Sequence, residues 1–218
     1  MIWGAIVQTD DLIASLSDGL TPAPKRMVAR RLGLGLVLGM AVTFAVLLLT
    51  LRLHPHLGHM MHGPAFWMKF AYTAALAVLA LWLVERQSRA GADARMPAWL
   101  LLVPVCLLAL VAAVQLSTPN ADWWAMTLGH TARVCSLLIL VLSLPIFVGV
   151  FLAMRALAPT RLTLAGACAG LLSGAASATL YGLHCPEVAA PFVLVWYSLG
   201  IALATGIGAV VGRWTLRW

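Results

Sequence analysis

The stretch that decides the fold is VCSLLILVLSLPIFVGVFLAM, residues 134–154, which runs for 21 positions without a charged side chain. A helix needs about 20 apolar residues to cross the hydrocarbon core of a bilayer. Five further blocks have a similar length and character, at residues 32–51, 65–84, 97–115, 162–183 and 190–212. The sequence therefore predicts an all-α fold, a polytopic membrane protein built as a bundle of six transmembrane helices.

The composition excludes an ordinary soluble domain. Of the 218 residues, 62% are hydrophobic and 10% are charged, whereas soluble domains carry about a quarter charged residues. The net charge of +7 could indicate a nucleic-acid partner, but the basic residues flank the apolar blocks, as topology signals do. We therefore predict the lipid bilayer as a partner and no direct contact with nucleic acid. The polar first thirty residues predict no cleavable signal peptide.

The basic residues also predict the orientation of the bundle. Eleven of the fourteen Lys and Arg residues fall on one side, and two, Arg52 and Arg133, fall on the other. The eleven are Lys25, Arg26, Arg30, Arg31, Arg86, Arg89, Arg95, Arg155, Arg161, Arg213 and Arg217. Because short basic loops stay in the cytoplasm, we expect both termini to be cytoplasmic.

Residues 1–31 are predicted to form a cytoplasmic head, ahead of a transmembrane domain over residues 32–218. The stretch QTDDLIASLSDGL has a Thr before two acids, as helix starts do, and then an apolar stripe. The Gly and Pro residues of GLTPAPKR end this helix. So short a helix is unstable alone in water, and its acids disfavour an anionic membrane, so we predict a protein partner. The residues predicted to contact the partner are Thr9, Asp10, Asp11, Leu12, Ile13 and Leu16.

Small residues recur every four positions in the last two blocks. A repeat of this kind keeps small side chains on one face of a helix, so that two backbones can approach closely. The sequence therefore predicts tight packing of spans 5 and 6. The residues are Gly166, Gly170, Gly174, Ala178 and Gly182 in span 5, and Gly200, Ala204, Gly208 and Gly212 in span 6.

Two of the four cysteines, Cys135 and Cys185, fall on the predicted outer side, together with His130 and His184. In an oxidising compartment the two thiols could form a disulfide. With the two imidazoles they could instead bind a soft metal ion, or they could simply be buried at helix ends. No CxxC or CxxCH motif supports a thioredoxin-like site or a c-type haem, so no cofactor is predicted beyond a candidate soft metal ion at the outer face.

The charged residue inside span 2 is Lys69. Its side chain could snorkel outward or pair with a carboxylate inside the bundle, for which Glu187 is a candidate. Pro186 is predicted to end the helix of span 5. Cys106 and Cys168 fall in mid-span, where a free cysteine packs as a small hydrophobe.

Three dispersed motifs carry a family resemblance: TDDLIASL near the start, FWMKFAY in span 2 and HCPEVAAPFVLVWYSLGI before the last span. They resemble the NrsF family, membrane-embedded negative regulators of sigma factor F. The resemblance implies a protein that holds an extracytoplasmic-function sigma factor at the bacterial inner membrane through its head and releases it under stress. It also implies that Cys135 and Cys185 are the sensing thiols. The motif positions with structural or signalling roles are Lys69, His184, Pro186, Glu187, Trp196 and Tyr197.

Two other functions fit the sequence less well than regulation. A metal-ion transporter would need ionisable groups near the middle of the membrane, and Lys69 sits near the edge of its span. A membrane thiol oxidoreductase would need paired redox cysteines, and a CxxC is missing. The sequence shows no nucleophile–base constellation, so we predict a protein that is not an enzyme. A homodimer is left open.

Overall fold

The computed structural model describes residues 9–18, 27–88, 95–119, 121–157 and 159–216. In these ranges all of the regular secondary structure is helical, and none of the described residues forms a strand. The elements in chain order are α1 (Thr9–Ser17), α2 (Met27–Thr50), α3 (Leu57–Met60), α4 (Pro64–Gln87), α5 (Arg95–Leu100), α6 (Leu102–Leu116), α7 (Trp123–Leu128), α8 (Ala132–Arg155), α9 (Leu162–Tyr181), α10 (Ala190–Phe192), a π-helical turn (Val193–Tyr197) and α11 (Ser198–Thr215).

The prediction of six membrane-spanning helices is confirmed. In the described part of the chain, six helical segments are long and apolar enough to cross a membrane. They are Met27–Thr50, Pro64–Gln87, Ala98–Leu116, Trp123–Arg155, Leu162–Tyr181 and Ala190–Thr215. Three of these spans combine consecutive helices: the end of α5 with α6, α7 with α8, and α10 with the π-helical turn and α11.

The prediction that Pro186 ends the fifth span is wrong. Helix α9 ends at Tyr181, because the chain turns there. The amides of His184 and Cys185 both donate to the carbonyl of Tyr181, at 2.9 and 3.0 Å. Cys185 and Pro186 therefore lie in the loop 182–189 between α9 and α10, and not at the end of a helix.

Helix α9 is the centre of the bundle, packed against α11, α4 and α8. Small residues make this possible, because a methyl group on Gly166 would overlap the carbonyl of Gly208, and one on Gly170 would overlap the carbonyl of Ala204. The predicted tight packing of spans 5 and 6 is confirmed. Gly182 does not take part in this helix packing, because it lies beyond Tyr181, the last residue of α9. A methyl group on Gly182 would come within 3.6 Å of Lys69 Cε.

Loops at one end of the bundle are tied together by hydrogen bonds between distant parts of the chain. The amide of His54 donates to the carbonyl of Leu183 at 3.2 Å, and the amide of Ala190 donates to Gln115 Oε1 at 2.9 Å. We call this end, formed by residues 51–63, 121–131 and 182–189, the thiol end. At the opposite end, the Arg31 guanidinium donates to the carbonyl of Ala156 at 3.2 Å.

Two glycines on α11 test whether close backbone contact stabilises the bundle. Gly208→Ala should lower the free energy of unfolding by about 1–3 kcal/mol, the usual cost of overpacking, because the new methyl group meets Gly166 and lies 2.9 Å from Gly170 Cα. Gly206→Ala is the matched control, since nothing lies within 4 Å of its added methyl group. The measurement is unfolding of the purified protein in detergent. Equal stability of the two variants would contradict the packing argument.

Candidate functional site

The structure brings Cys135 and Cys185 together at the thiol end. Cys135 lies in the first turn of α8, Cys185 lies in the loop 182–189, and both side chains are buried free thiols. The two thiol groups lie close enough together to interact directly. The hydroxyl of Thr131 lies 3.8 Å from the same sulfur. From the sequence, Cys135 and Cys185 could be placed only on the same side of the membrane, and the structure shows that they are neighbours.

Two buried tyrosines lie next to the thiols. Tyr181 is the last residue of α9 and Tyr197 is the last residue of the π-helical turn, and their ring centroids are 5.8 Å apart. The Tyr197 hydroxyl is buried and has no hydrogen-bond partner among the residues that the structure describes, although the Cys185 sulfur interacts with it electrostatically. Sequence reasoning identified Tyr197 through its motif but missed Tyr181, whose signal was a polar aromatic directly before the His–Cys–Pro–Glu run.

Lys69 occupies an unexpected position for a charged residue in a membrane span. Its side chain is 1% exposed, so of the two alternatives that the sequence left open, outward snorkelling is wrong. Its ammonium group donates to two carbonyl oxygens of the loop, that of Cys185 at 2.9 Å and that of Glu187 at 3.1 Å. The predicted partner Glu187 is thus contacted through its main chain and not through its carboxylate. The rings of Phe66 and Tyr197 also face the ammonium, with centroids 5.8 and 6.0 Å away.

The carboxylate of Glu187 holds the segment that precedes α8. It accepts a hydrogen bond from the amide of His130 at 2.7 Å. The neighbouring Gly129 has φ +50 and ψ −159, a backbone conformation that is essentially restricted to glycine. A methyl group there would also lie 2.7 Å from the Glu187 carboxyl carbon. Glu187 and Gly129 therefore fix how the entry to α8 meets the loop 182–189.

Trp196 and His184 tie further segments to this site. The Trp196 indole donates to the carbonyl of Thr127 at 2.8 Å, and the Trp196 carbonyl accepts from the Ser136 hydroxyl at 2.7 Å. The Nδ1 atom of His184 lies 2.8 Å from the carbonyl oxygen of Arg52. These motif residues therefore link the loop and the π-helical turn to the entry of α8 and to the end of α2.

The predicted four-residue metal set does not assemble. His184 is engaged with Arg52, and the His130 side chain is exposed. In the ranges that the structure describes, no three His, Cys, Asp or Glu side chains are grouped so that they could hold a metal ion. Binding of a soft metal ion stays a prediction that depends on the two sulfurs alone. Of the other cysteines, Cys168 is buried in the core and Cys106 is exposed on α6.

The groups around Cys185 favour a negative charge on its sulfur. The hydrogen bond from Cys135 holds the pKa of Cys185 below its ordinary value, although burial opposes this. The positive charge of Lys69 and the backbone N–H of Glu187 act in the same direction. A thiolate is the nucleophilic and metal-binding form of cysteine, so the geometry is suited to thiol chemistry.

The head helix forms where the sequence predicts it, as α1. Thr9, Asp11, Leu12 and Ile13 are exposed, with Leu12 and Ile13 presenting 48% and 59% of their surface. The side chains of Asp10 and Leu16 lie outside the described residues, as do residues 1–8 and the predicted tether at 19–26.

In the described residues the protein is all-α, with six helical segments long and apolar enough to cross a membrane, and it buries two thiols beside a lysine. The chain belongs to the NrsF family, whose description, "Negative regulator of sigma F", is matched by residues 16–218. The role that this description gives is regulatory.

Two curated relatives are similar over almost the whole chain. The anti-sigma-F factor NrsF of Caulobacter vibrioides is 42% identical over 219 residues, which cover 97% of this chain and all of the relative. The probable anti-sigma-F factor NrsF of Azospira oryzae is 37% identical over 213 residues, with the same coverage. No solved structure matches the chain.

The contact between Gly129 and Glu187 gives a prediction about the thiol end. Gly129→Ala should destabilise the fold by about 1–3 kcal/mol, because alanine resists this backbone conformation and its methyl group would displace the Glu187 carboxylate. Gly58→Ala, in α3 with open space around the added methyl group, is the control. Thermal unfolding in detergent measures both. A Gly129→Ala protein as stable as Gly58→Ala would show that this contact does not constrain the loop.

Proposed function

We propose that this protein is an anti-sigma factor that holds an extracytoplasmic-function sigma factor of the sigma F type at the bacterial inner membrane. Residues 1–31 act as the docking head and residues 32–218 as the transmembrane sensor. Modification of Cys135 and Cys185 by an oxidant or a soft metal ion releases the sigma factor. The observation that carries the sensing part of the proposal is the proximity of these two buried free thiols.

The charge distribution supports an orientation with both termini in the cytoplasm. The hydrogen bond between Arg31 and Ala156 joins the start of α2 to the end of α8, and the basic residues Arg30 and Arg155 belong to the same two helix ends. Because basic segments remain in the cytoplasm, this end faces inward. The thiol end then faces the periplasm, where disulfides form and persist.

Oxidation of the pair would join two segments covalently. The two thiols lose two electrons and two protons to an oxidant such as a hydroperoxide, which leaves as an alcohol and water, and one sulfur–sulfur bond forms. A soft metal ion bound to both sulfurs would link the same segments. Either event connects the first turn of α8 to the loop 182–189, so the entry to α8 and the joint between α9 and α10 can no longer move independently.

The packing of α8, α9 and α11 supports transmission of that change. The Ser177 hydroxyl on α9 donates to the Ile139 carbonyl on α8 at 2.9 Å, and a methyl group on Gly200 would lie 3.0 Å from Ile139. Tightly packed helices shift as units. Changing the head from mostly bound to mostly released needs about 5.5 kcal/mol of differential stabilisation between the two states.

Replacing the thiols tests the sensor. In cells with a sigma-F-dependent reporter, the variant with both Cys135→Ser and Cys185→Ser should lose induction by an oxidant or cadmium, because neither a disulfide nor a dithiolate complex can form. Immunoblotting establishes that the variant is present in the membrane. Cys106→Ser, at an exposed cysteine outside the site, should respond like the wild type. An undiminished response of the double variant would rule out the thiol sensor.

Replacing the exposed apolar residues of α1 tests the docking head. The double variant Leu12→Ser with Ile13→Ser should weaken binding of the sigma factor by roughly two orders of magnitude or more, because each buried apolar side chain contributes about 1.5–3 kcal/mol. The measurement is co-purification with the full-length membrane protein. Ser15→Ala, an exposed polar position on the same helix, should bind normally. Retention of the sigma factor by the double variant would place the docking surface elsewhere.

A further inference from the structure

We propose that α8 contains a hinge at Pro145, and that this hinge transmits modification of the thiol pair to α2, the span that follows the head. The inference deepens the proposed function, since it rests on the thiol pair being the sensor. It names the two helices through which the sensor reaches the head, and it gives Thr43 the role of holding the hinge in one position.

Pro145 lies in the interior of α8. Proline has no backbone N–H, so the carbonyl of Val141, four positions earlier, loses its donor within the helix, and the proline ring crowds the same carbonyl. Proline is one of the few causes of sharp kinks in helices. Pro145 therefore divides α8 into two segments that can change their mutual angle. We call residues 132–144 the thiol-side segment and residues 146–155 the far segment.

Side-chain hydroxyls bond the turn that precedes Pro145. The Thr43 hydroxyl on α2 donates to the carbonyl of Leu142 at 3.0 Å, and Thr43 is fully buried. The Ser143 hydroxyl donates to the carbonyl of Leu140 at 2.6 Å. A membrane offers no water to weakened backbone groups, so Ser and Thr side chains bond them instead. Because the Thr43 bond comes from a different span, it fixes the position of α2 against α8 at the hinge.

The thiol-side segment is bound to the rest of the thiol site. It carries Cys135 in its first turn. The Ser136 hydroxyl donates to the carbonyl of Trp196 at 2.7 Å, and the Ile139 carbonyl accepts from the Ser177 hydroxyl on α9 at 2.9 Å. A covalent or metal link between Cys135 and the loop that joins α9 to α10 therefore acts on this segment first.

The far segment is bound to α2, which packs mainly against α8. A methyl group on Gly35 would overlap the carbonyl of Gly149, and one on Gly39 would lie 2.6 Å from the Cα atom of Ile146. The Arg31 guanidinium donates to the first carbonyl beyond α8, at 3.2 Å. One face of α2 thus meets α8 at every fourth position, and its last contact crosses the hinge. The four positions are Arg31, Gly35, Gly39 and Thr43.

The start of α2 leads directly to the head. Helix α1 ends at Ser17 and α2 begins at Met27. When the two segments of α8 change their angle, α2 cannot keep both the Thr43 bond to the thiol-side segment and the backbone contacts with the far segment. Loss of the Thr43 bond lets α2 move with the far segment, and this movement reaches the residues that carry the head.

Amide hydrogen exchange of the full-length protein in detergent tests the hinge, with mass spectrometry assigning exchange to peptides of α8. Thr43→Val keeps the shape of the side chain and removes the donor, so exchange around Pro145 should be about three- to tenfold faster, as loss of one hydrogen bond predicts. Thr43→Ser keeps the donor and should exchange like the wild type. Thr50→Val is the control, because Thr50 is exposed on α2 and bonds the Val46 carbonyl within its own helix.

The sigma-F-dependent reporter with an oxidant tests transmission. Pro145→Ala restores the missing N–H and stiffens α8, so it should lose most of the induction, although mass spectrometry should find the disulfide between Cys135 and Cys185 as in the wild type. Thr43→Val should raise the uninduced signal by about threefold or more, because one hydrogen bond no longer holds α2 in place. Immunoblotting establishes that both variants are in the membrane.

The inference is overturned if Pro145→Ala is induced like the wild type, since a straight α8 would then suffice. It is also overturned if Thr43→Val matches Thr50→Val in both exchange and uninduced signal, a comparison that stays decisive if Pro145→Ala does not fold. Failure of the thiol sensor is a separate result. A response that persists without the two cysteines removes the input to the hinge, whereas the exchange measurement depends on neither thiol.

Discussion

The buried ammonium group of Lys69 holds the loop between α9 and α10 against the bundle, and much of the thiol end is built on that contact. Its two hydrogen bonds reach the carbonyls of Cys185 and Glu187. This orientation leaves the Glu187 carboxylate free to bind the amide of His130. Lys69 thereby fixes the backbone that positions the Cys185 thiol. The Glu187 carboxylate fixes the segment that leads to α8, the helix that carries Cys135.

Burial of a charge at this position constrains the surrounding residues. The aromatic rings of Phe66 and Tyr197 face the ammonium, and such faces attract cations more strongly when water is excluded. The π-helical turn carries Tyr197 into the site, and π-helical turns are frequent at functional sites. The arrangement therefore combines a membrane-span lysine, an irregular helix and a loop into one unit that could respond to a change at either sulfur.

Close backbone packing joins α9, the helix that ends at Tyr181 beside the thiols, to α11. Helix α9 carries small residues along the face that meets α11, and Gly166 and Gly208 pack backbone against backbone. Packing of this kind leaves little room for independent movement of the two helices.

The six spans, the head helix and the tight packing of spans 5 and 6 could be predicted from the sequence, because apolar length, helix caps and four-residue repeats are local properties. It did not determine that α9 ends at Tyr181, since a turn closed by the amides of His184 and Cys185 is not encoded in hydropathy. Nor did it show that Lys69 would bind carbonyls and not a carboxylate. Only the tertiary structure decided that Cys135 and Cys185, fifty positions apart in the chain, are neighbours. Contact between them depends on where a helix end, a loop and a π-helical turn meet in space.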